Sequence, residues 1–334
     1  MQIAIAGSIA TDHLMTFEGS FKDSLVVEQL DKISLSFLTG DLQVRRGGVA
    51  ANIAFGMAGL GLRPILVGAV GEDFADYRSW LERHGVDCTS VHYSESQHTA
   101  RFICTTDNDM AQIATFYAGA MSEARDIELG PVADRVGGLD LVLVGADDPE
   151  AMARHTQECR SRGIPFIADP SQQLAFSDGA GIRGLIDGAS ILFTNEYEAH
   201  LTEQKTGWGH DEILGRVGTR VITRGAGGVT IHRKDEETIS VPVAREVRRA
   251  DPTGVGDAFR AGFLTGLAAG LTTRRCAELG SMLATYVIET VGTQEYVLSK
   301  SHFLERLTEA YGTESAAEIE PHIVCHRPLS LIHI

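Results

Sequence analysis

Short apolar runs alternate with segments of helical periodicity along most of this chain. The runs that predict buried strands are Ile3–Ala6, Ile65–Val70, Leu141–Val144, Pro165–Ala168, Ile191–Thr194 and Arg220–Thr223. The segments that predict helices are Val49–Leu60, Phe74–His84, Pro149–Arg162, Glu196–Lys205, Ala258–Ala269, Arg274–Glu289 and Ser299–Tyr311. Strands that alternate with helices form right-handed βαβ units. The pattern therefore predicts an α/β fold with a mostly parallel central sheet covered on both faces.

Two segments depart from this alternation. Residues 12–45 have no clean helical face, and residues 98–117 carry β-prone side chains around the polar turn Asp107-Asn-Asp109, which predicts a hairpin. Both segments leave the sheet near the edge where α/β folds bind ligands, so they predict a small β-sheet lid. We expect a large α/β domain of residues 1–11, 46–94 and 126–322 and a lid of residues 12–45 and 95–125.

The composition excludes several classes of protein. With 334 residues, 43% of them apolar, the chain can bury a large core, and its formal charge of −16 argues against nucleic acid or an anionic membrane as partner. Five cysteines without a C-x-x-C pair and twelve histidines without metal-ligand spacing indicate a reduced cytoplasm and no zinc framework. The segment Met1–Gly7 predicts a first strand, and we expect no signal peptide or membrane span.

Residues 323–334 are expected to form a tail outside the fold. Leu329–Ile334 continues no helical periodicity and resembles the translation of a transposon end used in sequencing libraries, which indicates a non-native extension. A genuine disordered tail is the alternative, and neither interpretation bears on function.

The segment Asp251-Pro-Thr-Gly-Val-Gly-Asp257 directly precedes a run of small and apolar residues at helical spacing. The first amides of a helix are unpaired and favour negative charge, and Gly254 and Gly256 let the backbone approach a ligand closely. The Asp257 carboxylate would repel a phosphate, but it could take a proton from a hydroxyl beside one. An anion-binding turn with an adjacent base predicts phosphoryl transfer. The alternative is an ordinary glycine-rich turn with a capping aspartate.

Two segments near the N-terminus carry further candidate ligands. Gly7-Ser-Ile-Ala-Thr-Asp12 follows the first strand, where Asp12 could accept hydrogen bonds from vicinal hydroxyls or could be a capping residue. Arg46-Gly-Gly-Val-Ala-Ala-Asn52 precedes an apolar helix, and the Asn52 amide can both donate and accept. Taken alone, a Gly-Gly pair before a helix is more often a turn than a site.

Two later segments suit a nucleotide and its metal ion. Asn195-Glu-Tyr-Glu198 follows a strand, where its oxygens could hold Mg²⁺ or could form an ordinary acidic helix N-terminus. Thr223-Arg-Gly-Ala-Gly-Gly228 leads into a β-prone run, so its glycines could lie against nucleotide phosphates beside Arg224. The first strand is not followed by the G-x-G-x-x-G helix opening that would indicate a dinucleotide-binding dehydrogenase.

In order and spacing, the segments 47–52, 195–198, 223–228 and 253–257 resemble the motifs of the ribokinase-like (PfkB) carbohydrate kinases. The resemblance implies a three-layer α/β/α fold with a small β-sheet lid, ATP as phosphate donor and Mg²⁺ as cofactor. Dependence on a monovalent cation is usual in such kinases, and the carbonyls of Asp251 and Thr253 are candidate K⁺ ligands. Pro252 and Val255 depart from the usual motif but leave its glycines and Asp257 intact.

The resemblance also implies a role for each matched residue. Asp257 would be the catalytic base, and the amides of Gly254, Val255 and Gly256 would form the anion hole. Glu198 would bind Mg²⁺ through water. The residues implied for the substrate are Ser8, Asp12, Gly48 and Asn52, and those implied for ATP are Asn195, Thr223, Gly225 and Gly228.

The nature of the substrate is indicated by a departure from the sugar-kinase pattern. Where sugar kinases of this family usually carry Asp-x-Asn-x-Arg, this chain has Asp169-Pro-Ser-Gln-Gln173. The amides of Gln172 and Gln173 match the N6/N7 edge of adenine. Phe102 and Phe116, in the predicted lid, could sandwich a flat base. The alternative is that these two rings form the lid's own core.

Within the family the resemblance is closest to the actinobacterial adenosine kinases, through Ser8–Leu14, Ser122–Arg125 and Asp169–Ala175, whereas Phe176 stands where a basic residue is expected. It implies ATP-dependent phosphorylation of the 5′-hydroxyl of adenosine and a homodimer formed through the lid. The alternatives are the same chemistry on ribose, fructose or another nucleoside, and a non-catalytic nucleoside-binding regulator. Such a regulator would usually have lost the base or the glycines, and both are present.

Overall fold

The computed structural model of the chain describes residues 1–24 and 36–325. Its strands are β1 (Ile3–Ala6), β2 (Ala10–Thr16), β3 (Asp41–Gly47), β4 (Ile65–Val67), β5 (Ala69–Val70), β6 (His92–Tyr93), β7 (Ala100–Thr106), β8 (Gln112–Tyr117), β9 (Leu141–Gly145), β10 (Phe166–Asp169), β11 (Ile191–Asn195), β12 (Arg220–Thr223), β13 (Val229–His232) and β14 (Ile239–Val241). Its α-helices are α1 (Phe21–Ser24), α2 (Val49–Gly59), α3 (Ala75–Arg83), α4 (Leu129–Val136), α5 (Pro149–Arg162), α6 (Gln173–Phe176), α7 (Gly179–Ile186), α8 (Glu196–Thr206), α9 (His210–Arg216), α10 (Val255–Ala268), α11 (Thr273–Ile288), α12 (Lys300–Tyr311) and α13 (Thr313–Ile319).

The central sheet has the strand order β14–β13–β12–β11–β10–β9–β1–β4. In the run β12–β11–β10–β9–β1–β4, each strand pairs in parallel with its neighbour. β13 and β14 add an antiparallel margin beside β12. Parallel neighbours require crossover connections, and the helices that follow the strands supply them. The sequence pattern predicted this mostly parallel sheet.

Two hydrophobic cores cover the two faces of the central sheet. Successive side chains of a strand point to opposite faces, so Ile3 and Ile5 belong to one core while Ala4 and Ala6 belong to the other. The first core includes residues of α2, α10, α11 and α12, and the second includes residues of α4, α5, α7 and α9. The result is the predicted three-layer arrangement. None of the helices in residues 1–24 and 36–325 is long and apolar enough to span a membrane.

The predicted strands and helices are found within a few residues of their expected bounds, except that one predicted strand is divided into two. Residues 65–70 form β4 and β5 because the chain turns at Gly68, where a Cβ would lie 2.6 Å from the Gly7 carbonyl oxygen. β5 then pairs with β6 and leaves the central sheet. The α-helices that were not predicted have four to eight residues, which give too weak a periodic signal; they are α1, α4, α6, α7, α9 and α13.

A second, smaller sheet has the order β3–β2–β7–β8. β7 and β8 form the hairpin predicted for residues 98–117, and the Asp107 carboxylate accepts two backbone amides of its turn. β2 and β3 are the two ends of the predicted lid segment, although β2 begins at Ala10 and β3 ends at Gly47. The division of the chain into a large domain and a lid stays a prediction.

The first residues of the predicted tail pack in the core. Ile323 and Cys325 are 1% and 7% exposed, and the Val324 amide donates to the Leu60 carbonyl at 3.0 Å. The predicted boundary at residue 323 is therefore wrong, because apolar side chains after α13 still bury against the end of α2. Residues 326–334 lie outside the described part of the chain.

Candidate active site

Polar residues gather at the edge of the central sheet where its parallel strands end. They are Ser8 after β1, Asp147 after β9, Asp169 at the end of β10, Asn195 at the end of β11 and Thr223 at the end of β12. In open parallel sheets this is the edge at which ligands bind. α10 also starts here, and the fold thus collects the predicted motifs from distant parts of the sequence.

The start of α10 has the geometry of an anion-binding turn. Its N-cap, Gly254, has a φ of 75°, and a Cβ there would lie 2.8 Å from the Thr293 side chain, so this position requires glycine. No side chain among the described residues caps this helix start. The Val255 amide makes a long hydrogen bond, 3.4 Å, to the Pro252 carbonyl. The first turn therefore presents amides with little competition from protein acceptors.

Asp257 lies in the first turn of α10, where a base for the predicted chemistry would have to be. The Asn52 side-chain amide donates to its carboxylate, with Nδ2 and Oδ2 2.8 Å apart. Burial raises the pKa of Asp257 to about 7, against the lowering effects of the Asn52 hydrogen bond and the Arg260 charge. A carboxyl group whose pKa lies close to neutral pH is well matched to general-base catalysis.

A buried ion pair next to the base was not predicted. Arg260, one turn after Asp257 on α10, donates through Nε and Nη2 to the two oxygens of Asp169 at 2.7 and 2.8 Å. The two side chains are 6% and 1% exposed. The available signal was weak: Arg260 lies one helical turn beyond the predicted base, and Asp169 ends a predicted strand. The pair joins α10 to β10.

The Asn195–Glu198 segment forms a helix N-terminus, which was the alternative to a magnesium site in the sequence analysis. Asn195 and Glu198 cap α8 reciprocally, each side-chain oxygen accepting the other's backbone amide at 2.8 Å. Burial raises the pKa of Glu198. In residues 1–24 and 36–325, no three His, Cys, Asp or Glu side chains cluster closely enough to hold a metal by themselves. Mg²⁺ usually keeps several waters and takes one or two carboxylates plus substrate phosphates, so the second oxygen of Glu198 fits this use.

A cavity of about 270 Å³ adjoins the start of α10. Residues predicted for two different tasks line it together: Thr223, Gly225 and Gly228 of the nucleotide loop, and Val255 and Gly256 of the anion hole. Gly228 has a φ of 83°, and any Cβ there would collide with the Val241 carbonyl. The rest of the wall is mostly apolar and includes Val243, Ala244, Phe259, Ala284 and Ile288, together with the charged residues Glu246 and Arg249. Asn195 lies outside this lining.

The predicted substrate residues of the N-terminal segments meet at the start of α2. Gly48, with a φ of 94°, packs so closely that a Cβ would lie 2.6 Å from the Ala10 amide nitrogen, so only glycine fits. The Ser8 hydroxyl accepts the Val49 amide at 3.0 Å and keeps its own hydrogen for a ligand. Burial, followed by the nearby Asp251 charge, raises the pKa of Asp12 to about 6.

Phe102 and Phe116, which we expected to sandwich a base, lie on one face of the small sheet. The two residues face each other directly across the antiparallel β7–β8 pair, and Asp12 is the partner of Phe102 on β2. Directly paired residues lie side by side on one face of a sheet, with their Cβ atoms about 5 Å apart. Asp12, Phe102 and Phe116 therefore form a row on one face, and the expected sandwich of a base between the two rings stays a prediction.

Asn52 and Gln173 make protein contacts that narrow their predicted roles. The Asn52 oxygen accepts from Thr293 and Gln294, and one of its amide hydrogens goes to Asp257, which leaves one N–H for a substrate. Gln173 donates to the Asp147 carbonyl at 2.8 Å, while Gln172 is exposed.

Asp147 itself was not predicted. One oxygen of its buried carboxylate has no partner in the described structure, and burial raises its pKa to about 8.

Comparison with known proteins fits this geometry. The sequence matches the pfkB family carbohydrate kinases over residues 23–300. A nucleoside kinase of Methanothermobacter thermautotrophicus is 32% identical over 271 residues, covering 80% of this chain and 86% of that protein. The solved structure of Burkholderia thailandensis nucleoside kinase in complex with inosine has a TM-score of 0.81 and 36% identity, covering 93% of this chain and 99% of that one. The same kinase in complex with ADP-inosine has a TM-score of 0.79 and 37% identity, covering 93% and 96%.

The chain belongs to the pfkB family of ribokinase-like carbohydrate kinases. It is accordingly a phosphotransferase of a kinase family that uses ATP. The family and the three-layer fold with a small sheet were predicted from the sequence and are confirmed. The closer resemblance to actinobacterial adenosine kinases and the roles of individual residues stay predictions.

Proposed function

We propose that this kinase transfers the terminal phosphoryl group of ATP to the 5′-hydroxyl of a nucleoside, with adenosine as the preferred acceptor. One observation carries the proposal: the helix start that holds Asp257 also lines the cavity of the nucleotide loop, and Asp257 is bonded to Asn52 of the Gly-Gly segment. A base, an anion-binding turn, a nucleotide cavity and the acceptor segment thus converge at one point.

The proposed reaction is an in-line displacement at the terminal phosphorus of ATP. The Asp257 carboxylate takes the proton of the acceptor hydroxyl, whose oxygen forms the new bond to phosphorus while the bond to the ADP oxygen breaks. The amides of Gly254, Val255 and Gly256 would stabilise the charge that develops on the transferred group. Mg²⁺, when bound near Glu198 with the phosphates of ATP, would neutralise phosphate charge.

A nucleoside acceptor is supported by the relatives and by the row of residues on the small sheet. Similar proteins are named nucleoside kinases, and one is solved in complex with inosine. In this chain Asp12 would accept hydrogen bonds from ribose hydroxyls, and a base would stack on the Phe102–Phe116 row. Adenosine is favoured over inosine by Gln172 and Gln173, since a glutamine amide can pair with the N6/N7 edge of adenine.

A nucleoside kinase of broader acceptor range is the second candidate, and the inosine complex of a similar kinase favours it. The deciding experiment follows ADP release with ATP and equal concentrations of adenosine, inosine, guanosine, cytidine, ribose and fructose, and identifies the product by mass spectrometry and ³¹P NMR. The proposal expects adenosine 5′-monophosphate at the highest kcat/KM. Equal rates with all nucleosides would establish the second candidate, and turnover of free sugars alone would overturn both.

A homodimer through the small sheet is part of the proposal. The face opposite the Asp12 row carries the exposed apolar residues Leu42, Val44 and Ile113, which are 55%, 56% and 45% exposed. A second copy of the same face would bury them. Sedimentation equilibrium tests this, with twice the mass of the chain expected. K⁺ dependence and a cytoplasmic location remain predictions.

A further inference from the structure

A chain of hydrogen bonds, buried at its middle link, runs from α3 to the proposed base. The Trp80 indole N–H donates to Gln294 Oε1 at 3.1 Å, and Gln294 Nε2 donates to Asn52 Oδ1 at 3.0 Å. Asn52 Nδ2 then donates to Asp257 Oδ2 at 2.8 Å. Gln294 is 1% exposed and Asn52 is 8% exposed. Water is thus largely excluded from the two middle members.

The two ends fix the direction of this chain. An indole nitrogen can only donate, so the oxygen of the Gln294 amide must face Trp80 and its nitrogen must face Asn52. The Asn52 amide must then present its oxygen to Gln294 and its nitrogen to Asp257. An ionised carboxylate can only accept, so it completes the same order. Reversing either amide would place two acceptors or two donors against each other at both of its ends.

Two side branches hold the middle of the chain in place. The second hydrogen of Gln294 Nε2 goes to the Tyr77 hydroxyl at 2.6 Å, and that hydroxyl donates to the Gly47 carbonyl at 2.9 Å. The Thr293 hydroxyl lies 2.9 Å from Asn52 Oδ1 and 2.8 Å from the Arg46 carbonyl. Gln294 therefore uses its oxygen and both hydrogens, and it ties the end of β3 to Asn52.

We infer that Gln294, oriented by Trp80, is a positioning residue that keeps an Asn52 N–H directed at the carboxylate of Asp257. The inference rests on the proposed function, in which Asp257 is the base. Gln294 contacts neither acceptor nor ATP in this account. Its effect is to make one orientation of Asn52 much more stable than the flipped one, which would bring an oxygen against the carboxylate.

The consequence for catalysis is a change in the protonation of the base. The hydrogen bond from Asn52 favours the ionised form of Asp257, so its loss should raise the pKa of that carboxyl. The other charged or titratable groups that influence or face Asp257 are Arg260 on α10, Asp169 on β10 and Tyr296 in the loop after α11. Substitution of Gln294 leaves all three in place, so a shift reports on Asn52.

The test compares the pH dependence of kcat/KM and kcat in the full-length wild type, Gln294→Met and Trp80→Phe. Methionine keeps the length of glutamine but donates no hydrogen bond, and phenylalanine keeps a stacking ring without the N–H. For Gln294→Met we expect kcat at neutral pH to fall about fivefold and the acidic limb of kcat/KM to move up by about one pH unit. For Trp80→Phe we expect a smaller shift in the same direction, with KM for ATP unchanged in both.

Trp208→Phe is the matched control, because the second tryptophan of the chain lies on the far core, away from Asp257. The Trp208→Phe variant should leave the acidic limb of kcat/KM at the same pH as in the wild type. A purely structural role of Gln294 would lower thermal stability and the active fraction but would not move the limb. An unmoved limb in a folded Gln294→Met enzyme would overturn the inference. If that variant does not fold, Trp80→Phe decides by the same criterion.

A failure of the proposed function would be recognised separately, because the wild type would then phosphorylate no nucleoside. In that case the carboxyl absorbance of Asp257, obtained by infrared difference against Asp257→Asn, is titrated instead of activity. A higher pKa in Gln294→Met than in the wild type supports the positioning role. An equal pKa refutes it.

Discussion

The base side and the lid side of the proposed site are built in opposite ways. On the base side, Asp257 accepts a hydrogen bond from Asn52, Asn52 accepts one from Gln294, and the Arg260–Asp169 ion pair beside Asp257 is almost fully buried. On the lid side, Phe116 is 53% exposed, and all of β8 is open to solvent. The acidic group there, Asp12, is only partly buried.

This difference follows from what each side has to do. Proton abstraction and phosphoryl transfer need fixed geometry, since a displacement of about 1 Å can cost two orders of magnitude in rate. Binding of a flat base needs mainly ring surface, and stacking tolerates small shifts. In the proposed site, the chemistry would therefore be fixed in the buried network, while the base of the acceptor would lie on exposed side chains of the small sheet.

The strongest test of the base side is Asp257→Asn. The amide has the size of the carboxylate but cannot take the proton of the acceptor hydroxyl, so kcat should fall about 10²–10⁴-fold. Nucleoside affinity should change little, because the lid side is untouched. Steady-state ADP release gives kcat, and calorimetry gives nucleoside binding. A kcat close to that of the wild type would remove Asp257 as the base.

Asp169→Ala tests whether the base side is the rigid side. The variant leaves Arg260 buried without its partner, and the free energy of unfolding should fall by about 3–5 kcal/mol. Asp12→Ala is the matched control on the lid side and should cost about 1 kcal/mol or less, since this carboxylate makes no buried ion pair with any residue that the structure describes. Urea unfolding followed by circular dichroism measures both. Similar losses in the two variants would remove the contrast between the two sides.

Phe116→Ala tests the lid side with a smaller expected effect. Loss of one stacking ring should raise KM for the nucleoside about 5- to 150-fold and leave kcat nearly unchanged. Ile113→Ala is the control, because Ile113 lies on the same strand but on the opposite face of the small sheet. Initial rates over a range of nucleoside concentrations give KM and kcat for both variants. An equal rise in KM for both variants would mean that the Asp12 row does not bind the base.

Much of this arrangement could be predicted from the sequence wherever the signal is local. The turn before α10 and the strands around it are encoded by neighbouring residues. The connection of Gln294 to Asn52 could not be found, because 242 residues separate the two and one glutamine carries no periodic signal. The row of Asp12, Phe102 and Phe116 could not be found for a related reason: which residues share a face depends on strand register, and composition does not reveal register.

The central claim, that Asp257 is the proton acceptor, is tested most directly by the pH dependence of kcat/KM in the wild type and in Asp257→Asn. A carboxylate base acts only when ionised, so activity should fall as the pH drops through the pKa of Asp257, about 7. Protonation of ATP affects both enzymes alike and cancels in the ratio of the two profiles. The account predicts a limb near pH 7 that is present in the wild type and absent from the residual activity of the variant. The same limb in both enzymes would contradict it.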